Sequence, residues 1–216
     1  MNRSPTSEMK AVILCDGDIP EKSIIGRDLE QADFFIAADG GANHARSLQL
    51  EPDIIIGDMD SYEVTGDENS EVISDPDQET NDLEKALSFA LMKEAKDAVI
   101  FGATGKRLDH TLKNLSVLLQ FDSLFESIRF KDNYSTIRLI HSPYRQKFEV
   151  GTSVSLFPLS GVVKKLKTRG LKYPLHHENL ENGIRDGTSN VTIEPQVEIE
   201  FEEGDLLLLE NHPKTP

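Results

Sequence analysis

The sequence predicts an open α/β domain, with a largely parallel sheet flanked by helices, followed by a small all-β domain. Three observations lead there. Short apolar, β-branched runs alternate with helix-period segments as far as residue 140, the pattern of strands joined by crossover helices. Beyond about residue 145 only strand patterns occur. The 216 residues are 38% apolar, enough for packed cores, and no run is long enough to cross a bilayer.

In order, strands are predicted at Ala11 to Leu14, Phe34 to Ala38, Asp53 to Ile56, Val72-Ile73, Ala98 to Phe101 and Thr136 to Ile140. Helices are predicted at Glu21 to Leu29, Ala42 to Leu48, Asp82 to Lys93 and Leu108 to Phe121. Leu83, Ala86, Leu87, Ala90 and Leu91 form one apolar stripe, and Leu112, Leu115, Leu118 and Leu119 another, both read as core. The second domain starts with Val150 to Pro158 and Val162 to Leu166, then Asn190 to Ile193 and the strictly alternating Val197 to Phe201. A Glu203-Gly204-Asp205 turn and a buried Leu206 to Leu209 strand complete it. The expected division is 10–144 and 145–216, the second part being small enough to need support from the first or from another subunit.

A formal charge of −15 argues against nucleic-acid binding, which needs a basic surface. The one basic cluster, Lys164 to Arg169, reads as a solvated strand edge. The polar first eight residues lack the apolar core of a signal peptide, so a frayed tail and a cytoplasmic protein without membrane attachment are expected. Cys15, the single cysteine, lies in an apolar run and reads as a small buried hydrophobe.

Open α/β sheets bind ligands beyond the carboxyl ends of their strands, and here those ends deliver acid. Phe34 to Ala38 leads to Asp39-Gly40-Gly41-Ala42-Asn43, and Asp53 to Ile56 leads to Gly57-Asp58-Met59-Asp60-Ser61. In an extended backbone Asp58 and Asp60 would share one side, although the same residues also suit a turn. Asp82 opens a helix, where a capping role is the stronger reading of this residue taken by itself. Val99-Ile100-Phe101 leads to Gly102-Ala103-Thr104-Gly105-Lys106-Arg107-Leu108-Asp109-His110. Gathered carboxylates call for a cation, and hard oxygen donors without paired Cys or His favour Mg²⁺ over Zn²⁺. Glycines between strand and helix let backbone N–H groups meet phosphate oxygens, with Lys106 and Arg107 to neutralise them. The chemistry read from the residues is therefore that of a Mg²⁺-dependent enzyme handling a phosphorylated nucleotide.

The ordered motifs resemble the thiamine pyrophosphokinase family: Asp39 to Asn43, Gly57 to Ser61, Asn81-Asp82-Leu83-Glu84-Lys85-Ala86, Gly102 to His110, then Gly170 to Leu175 and Gly187-Thr188-Ser189-Asn190. The resemblance covers about residues 10 to 210. It implies an α/β catalytic domain, a C-terminal β-sandwich that binds thiamine and mediates dimerisation, and a homodimer with active sites between subunits. The implied reaction moves the pyrophosphoryl group of ATP, the co-substrate, to thiamine, releasing AMP. Asp39, Asp58, Asp60, Asp82 and Asp109 are then the acidic cluster, with Asp58, Asp60 and Asp82 on Mg²⁺ and Asp58, Asp60, Asp82 and Asp109 catalytic. ATP would meet Asp39, Gly40, Gly41 and Asn43 and the loop residues Gly102, Thr104, Gly105, Lys106 and Arg107; Ser189 and Asn190 would contact thiamine. Asn81 and Lys106 depart from the residues that many relatives carry there, and no tryptophan is present to pack on thiamine, which leaves Tyr173 as an aromatic candidate or as a packed core residue. A pyrophosphokinase acting on another acceptor, such as a hydroxymethylpterin, and a nucleotide-sensing module with a degenerate site are the alternatives.

Overall fold

The computed structural model describes residues 8–62 and 69–212. Of the expected frayed tail, Met1 to Glu8, residues 1–7 lie outside the described residues. The chain forms two compact units, 1–133 and 134–216.

The first unit carries strands β1 (Met9–Leu14), β2 (Phe34–Ala38), β3 (Ile54–Gly57), β4 (Glu71–Ser74), β5 (Ala95–Phe101) and β6 (Ser127–Lys131). All pair in parallel, in the order β4-β3-β2-β1-β5-β6. The chain steps outward from β1 to β4, then returns to β1's other side at β5, so order reverses beside β1. Helices α1 (Lys22–Leu29), α2 (Gly41–Ser47), α3 (Asp82–Met92) and α4 (Leu108–Phe121) make the connections. β1 is buried from Lys10 to Leu14, as expected of a central parallel strand covered on both faces. Val12, Leu14, Phe35, Val99 and Phe101 pack with Ile25 of α1 and Ala45 of α2. Asp28 of α1 is 8% exposed and accepts from Lys10 Nζ of β1 at 2.9 Å and from Lys131 Nζ of β6 at 2.7 Å.

The first helical stripe is core as predicted: Leu83, Ala86, Leu87 and Ala90 are buried. The second is rotated from its expected face. α4 buries Asn114, Val117, Leu118 and Phe121, while Leu112 is 56% exposed. Leucine spacing alone misplaced that face because Asn114 is turned inward to serve the site.

The second unit contains β7 (Ser135–Ile140), β8 (Tyr144–Lys147), β9 (Ser153–Arg169), β10 (His176–Glu181), β11 (Gly187–Val191), β12 (Gln196–Glu200) and β13 (Glu203–Asn211). It is a sandwich in which β9 belongs to both sheets. Its first half pairs with β11 and β13, and β13 pairs in turn with β7. Its second half pairs with β10 and β12, and β12 with β8. Gly161 lies between the halves with φ 65°, a conformation that glycine adopts without strain. Val154, Leu156, Leu206 and Leu208 of one sheet meet Val163, Leu166, Leu180, Val197 and Ile199 of the other.

Three expectations change here. The predicted strands Val150 to Pro158 and Val162 to Leu166 are one strand, continuous through Gly161. Lys164 to Arg169 is solvated on one face but is no edge, since β10 and β12 flank it. Gly204 is not in a turn; it is a bulge glycine inside β13, where a Cβ would lie 2.6 Å from the Val162 carbonyl oxygen. The compact units divide at 133/134, where β7 joins the second unit by pairing antiparallel with β13, from Ser135 opposite Asn211 to Ile140 opposite Leu206.

Candidate active site

The carboxyl ends of β1, β2, β3 and β5 surround a cleft of about 310 Å³. Glycines let the ends approach. A Cβ on Gly41 would lie 1.9 Å from the Leu14 carbonyl oxygen, and one on Gly57 would lie 2.7 Å from Asp39 Cβ and 3.0 Å from Asp82 Oδ1. Any larger residue at 57 would push Asp39 and Asp82 apart.

Asp39, Asp58 and Asp60 present carboxylate oxygens within 4.8 Å of one another. The convergence of Asp58 and Asp60 comes from a turn and not from strand alternation. β3 stops at Gly57, Met59 takes φ 65°, and the Asp60 N–H donates to Asp58 Oδ1 at 3.1 Å. Met59 packs against Ala37, Ala42, Ile55 and Tyr62 beneath. The turn is tied to α2: the Ser61 N–H donates to Asp39 Oδ2 at 3.2 Å, and Asn43 Nδ2 donates to the Ser61 carbonyl at 2.8 Å.

Asp39 is 3% exposed, and its Oδ1 is buried with no hydrogen-bond partner among the described residues. Burial pushes its carboxyl above the usual range, and the charge of Asp60 adds to this against the Ser61 bonds. Asp82, the first residue of α3, is pushed up by burial and by Asp39, against Lys85 Nζ at 3.7 Å. Asp58 is instead held low, chiefly because Gln78 Nε2 donates to its Oδ2 at 3.0 Å. Asp82 lines the cleft but is not one of the three mutually close carboxylates, a place taken by Asp39.

Opposite lies the glycine loop, with φ 64° at Gly102, 85° at Gly105 and 49° at Lys106. It is fixed from both sides. Asn114 Nδ2 of α4 donates to the Ala103 carbonyl at 2.9 Å, and Asn114 Oδ1 accepts from Asn81 Nδ2, the N-cap of α3, at 3.0 Å. Thr104 Oγ1 donates to Asp132 Oδ2 at 3.1 Å. Lys106, Arg107 and His110 are among the residues that line the cleft. Asp109 is exposed, pairs with Arg107 through two hydrogen bonds and is not among the lining residues. That pairing holds its carboxyl below the usual range.

Two comparisons identify the framework. A family model described as thiamin pyrophosphokinase, catalytic domain, matches residues 26–147, and one described as thiamin pyrophosphokinase, vitamin B1 binding domain, matches residues 139–206. The chain belongs to the thiamin pyrophosphokinase family. It is 26% identical over 201 residues to thiamine pyrophosphokinase 1 of Oryza sativa subsp. japonica, covering 79% of this chain and 76% of that one. It is similar to thiamine pyrophosphokinase of Bacillus subtilis, at 27% identity over 186 residues and 82% and 86% coverage. The crystal structure of the Bacillus subtilis protein superposes with a TM-score of 0.81 at 25% identity, covering 94% of this chain and 98% of that one.

Within the thiamin pyrophosphokinase framework, the catalytic match takes in Asp39, Asp58, Asp60, Asp82, Asp109 and the glycine loop. The vitamin B1 match takes in Ser189 and Asn190. In the second unit, Ser189 is exposed with φ 59°, and its N–H donates to Ser155 Oγ at 3.0 Å. Asn190 is 6% exposed, and its amide serves the backbone: Oδ1 accepts from the Tyr173 and Val191 N–H groups, and Nδ2 donates to the Tyr173 carbonyl at 2.8 Å. Tyr173 itself is 59% exposed and so is not a core residue. Asn190→Ala is expected to cost about 1–3 kcal/mol by leaving the Tyr173 backbone groups unpaired. Urea unfolding measures the cost, and faster amide exchange at Tyr173 locates it.

Sequence reasoning missed Asp16, His44, Gln78 and Asn114. Asp16 was legible, since Cys15-Asp16-Gly17 after β1 repeats the pattern of acid plus glycine seen after β2 and β3. The other three act through contacts between distant segments and leave no local signal. Cys15 is a buried thiol whose ionisation burial opposes, as expected of a packed hydrophobe.

Proposed function

We propose that this chain transfers the pyrophosphoryl group of ATP to thiamine, yielding thiamine diphosphate and AMP, in the cleft of the first unit. The observation that carries the reading is the buried Oδ1 of Asp39, without a hydrogen-bond partner among the described residues, beside Asp58 and Asp60, an arrangement that a cation satisfies. The donor set fits Mg²⁺: carboxylate oxygens only, few in number, open to a cleft that a triphosphate can share. When bound, Mg²⁺ supplies neutralising charge at the phosphates. Asp39, Asp58 and Asp60 hold it, with Asp82 at their side. Backbone N–H groups of the glycine loop and the N-terminus of α4 receive phosphate oxygens, and Lys106 and Arg107 offset their charge. The thiamine hydroxyl oxygen forms its bond to the β-phosphorus as the bond from that phosphorus to the α,β-bridging oxygen breaks, and the hydroxyl proton passes to an aspartate of the cluster. Positioning and charge neutralisation carry such a reaction.

The loop around Ser189 and the exposed ring of Tyr173 is the thiamine-facing candidate of the second unit, with Asn190 supporting it. A homodimer accords with the resemblance and with the small size of that unit. A cytoplasmic location accords with the lone cysteine, and no helix among the described residues is long and apolar enough to cross a membrane. The test is AMP release from Mg-ATP with thiamine and, separately, with a hydroxymethylpterin as acceptor. AMP is expected with thiamine and is lost on chelation of the metal; AMP formed only with the pterin overturns the assignment.

A further inference from the structure

The flank of the cleft beside β1 contains a built arrangement that the catalytic reading does not use. Asp16 follows β1, lies outside the residues 26–147 that match the catalytic family model, and lines the cleft. Its Oδ1 is 2.8 Å from Lys106 Nζ and 3.1 Å from His44 Nε2. His44 Nε2 is also 3.0 Å from the Gly17 carbonyl oxygen, which only accepts, so this nitrogen carries the proton. Lys106 Nζ lies 3.2 Å from the same nitrogen and finds its acceptor in Asp16 Oδ1. Asp16 Oδ1 therefore accepts from Lys106 and lies against the ring of His44, whose one N–H is given to the Gly17 carbonyl. His44 is 7% exposed, so its ring is a fixed anchor, whereas Lys106 is a long, half-exposed side chain with much rotamer freedom to lose.

The backbone makes room for this arrangement. A Cβ on Gly40 would lie 2.8 Å from Asp16 Cγ, so glycine at 40 admits the carboxylate against α2. Lys106 keeps its side chain although its φ of 49° is one that lysine rarely adopts. We propose that Asp16, anchored by His44, is a positioning residue that fixes Lys106 on the cleft flank where it meets the phosphates of the nucleotide. The use of Lys106 rests on the nucleotide reading above; its fixation by Asp16 does not.

Two measurements separate those parts. Acylation of Lys106 by acetic anhydride, followed by peptide mass spectrometry, reports how firmly the amine is held without any nucleotide. Asp16→Ala and His44→Leu are expected to raise the rate severalfold, while His44→Gln, which keeps an N–H donor, stays near the unsubstituted protein; melting temperatures show that each variant is folded. Unchanged labelling in Asp16→Ala overturns the positioning role. Calorimetric binding of Mg-ATP tests its use. Lys106→Gln should weaken binding about tenfold, because it removes a charge-assisted hydrogen bond to phosphate. Asp16→Ala should weaken it about threefold to fivefold by itself and not at all in the Lys106→Gln background. Equal weakening in both backgrounds, or tighter binding in Asp16→Ala alone, overturns the proposal. Absence of Mg-ATP binding to the unsubstituted protein overturns the nucleotide reading and leaves the labelling result to decide the fixation.

Discussion

Asp58→Asn and Asp60→Asn should each lower the AMP release rate on the order of a thousandfold, because each replaces a charged donor of the cation site by a neutral amide. The substitution is nearly isosteric, and Asp60 is exposed while Asp58 is only partly covered, so folding should change by no more than about 0.5 kcal/mol. At Asp60 any change should be a gain, since removing that charge relieves repulsion among carboxylates gathered within 4.8 Å, whereas Asp58→Asn gives up a charge that Gln78 and the Asp60 N–H favour and should lose slightly. Asp39 shows that repulsion, its carboxyl pushed above the usual range by burial and by Asp60. Mg²⁺ should therefore raise the melting temperature of the unsubstituted protein and raise it less in either variant. Turnover and melting curves recorded over a Mg²⁺ titration check both statements. Full activity in either variant would mean that the metal sits elsewhere.

The parallel sheet was legible because its inner strands are covered on both faces and read as unbroken apolar runs, as in Ile54-Ile55-Ile56. β6 was not. Its Ser-Ile-Arg-Phe-Lys sequence buries only Ile128 and Phe130, too few to distinguish a strand from a loop. The acidic residues after β2 and β3 were legible as a cluster, but the geometry that joins them was not. A left-handed Met59 and an absent Cβ at Gly57, neither visible as periodicity, bring the carboxylates together. Asp109 shows the opposite case. Its place in the motif suggests the cluster, yet Arg107 two residues away claims both its oxygens. β9 reads as two strands because Gly161 interrupts its pattern; only the pairing of both halves shows that the chain runs on from one sheet into the other.

Asp28→Ala should destabilise the first unit by about 3–5 kcal/mol at neutral pH, the usual cost of leaving a buried charge without its partner. The charge left behind is Lys10, whose side chain is 10% exposed inside β1 and whose ammonium has Asp28 at 2.9 Å. Lys131, at 22%, has more access to water and lies 6.0 Å from the Phe101 ring, so it contributes less to the loss. Asp28→Asn keeps an acceptor and should lose less. Lys10→Met combined with Asp28→Leu should recover much of the stability, because an apolar pair needs no desolvated charge to be matched. The pH dependence follows from the carboxyl. Burial pushes it up, but the hydrogen bonds from Lys131 and Lys10 outweigh burial and hold it below the ordinary value. A carboxyl lowered in the folded state binds its proton first in the unfolded chain, so its contribution is complete above the unfolded pKa of about 3.9 and is lost as pH falls through the folded value. The gap between the unsubstituted protein and Asp28→Ala should thus be constant from about pH 5 to 8, by urea unfolding, and narrow below about pH 4. A loss under about 1 kcal/mol at pH 7 would place the bond between α1 and the sheet in Ile25 and its apolar neighbours, and not in this buried ionic pair.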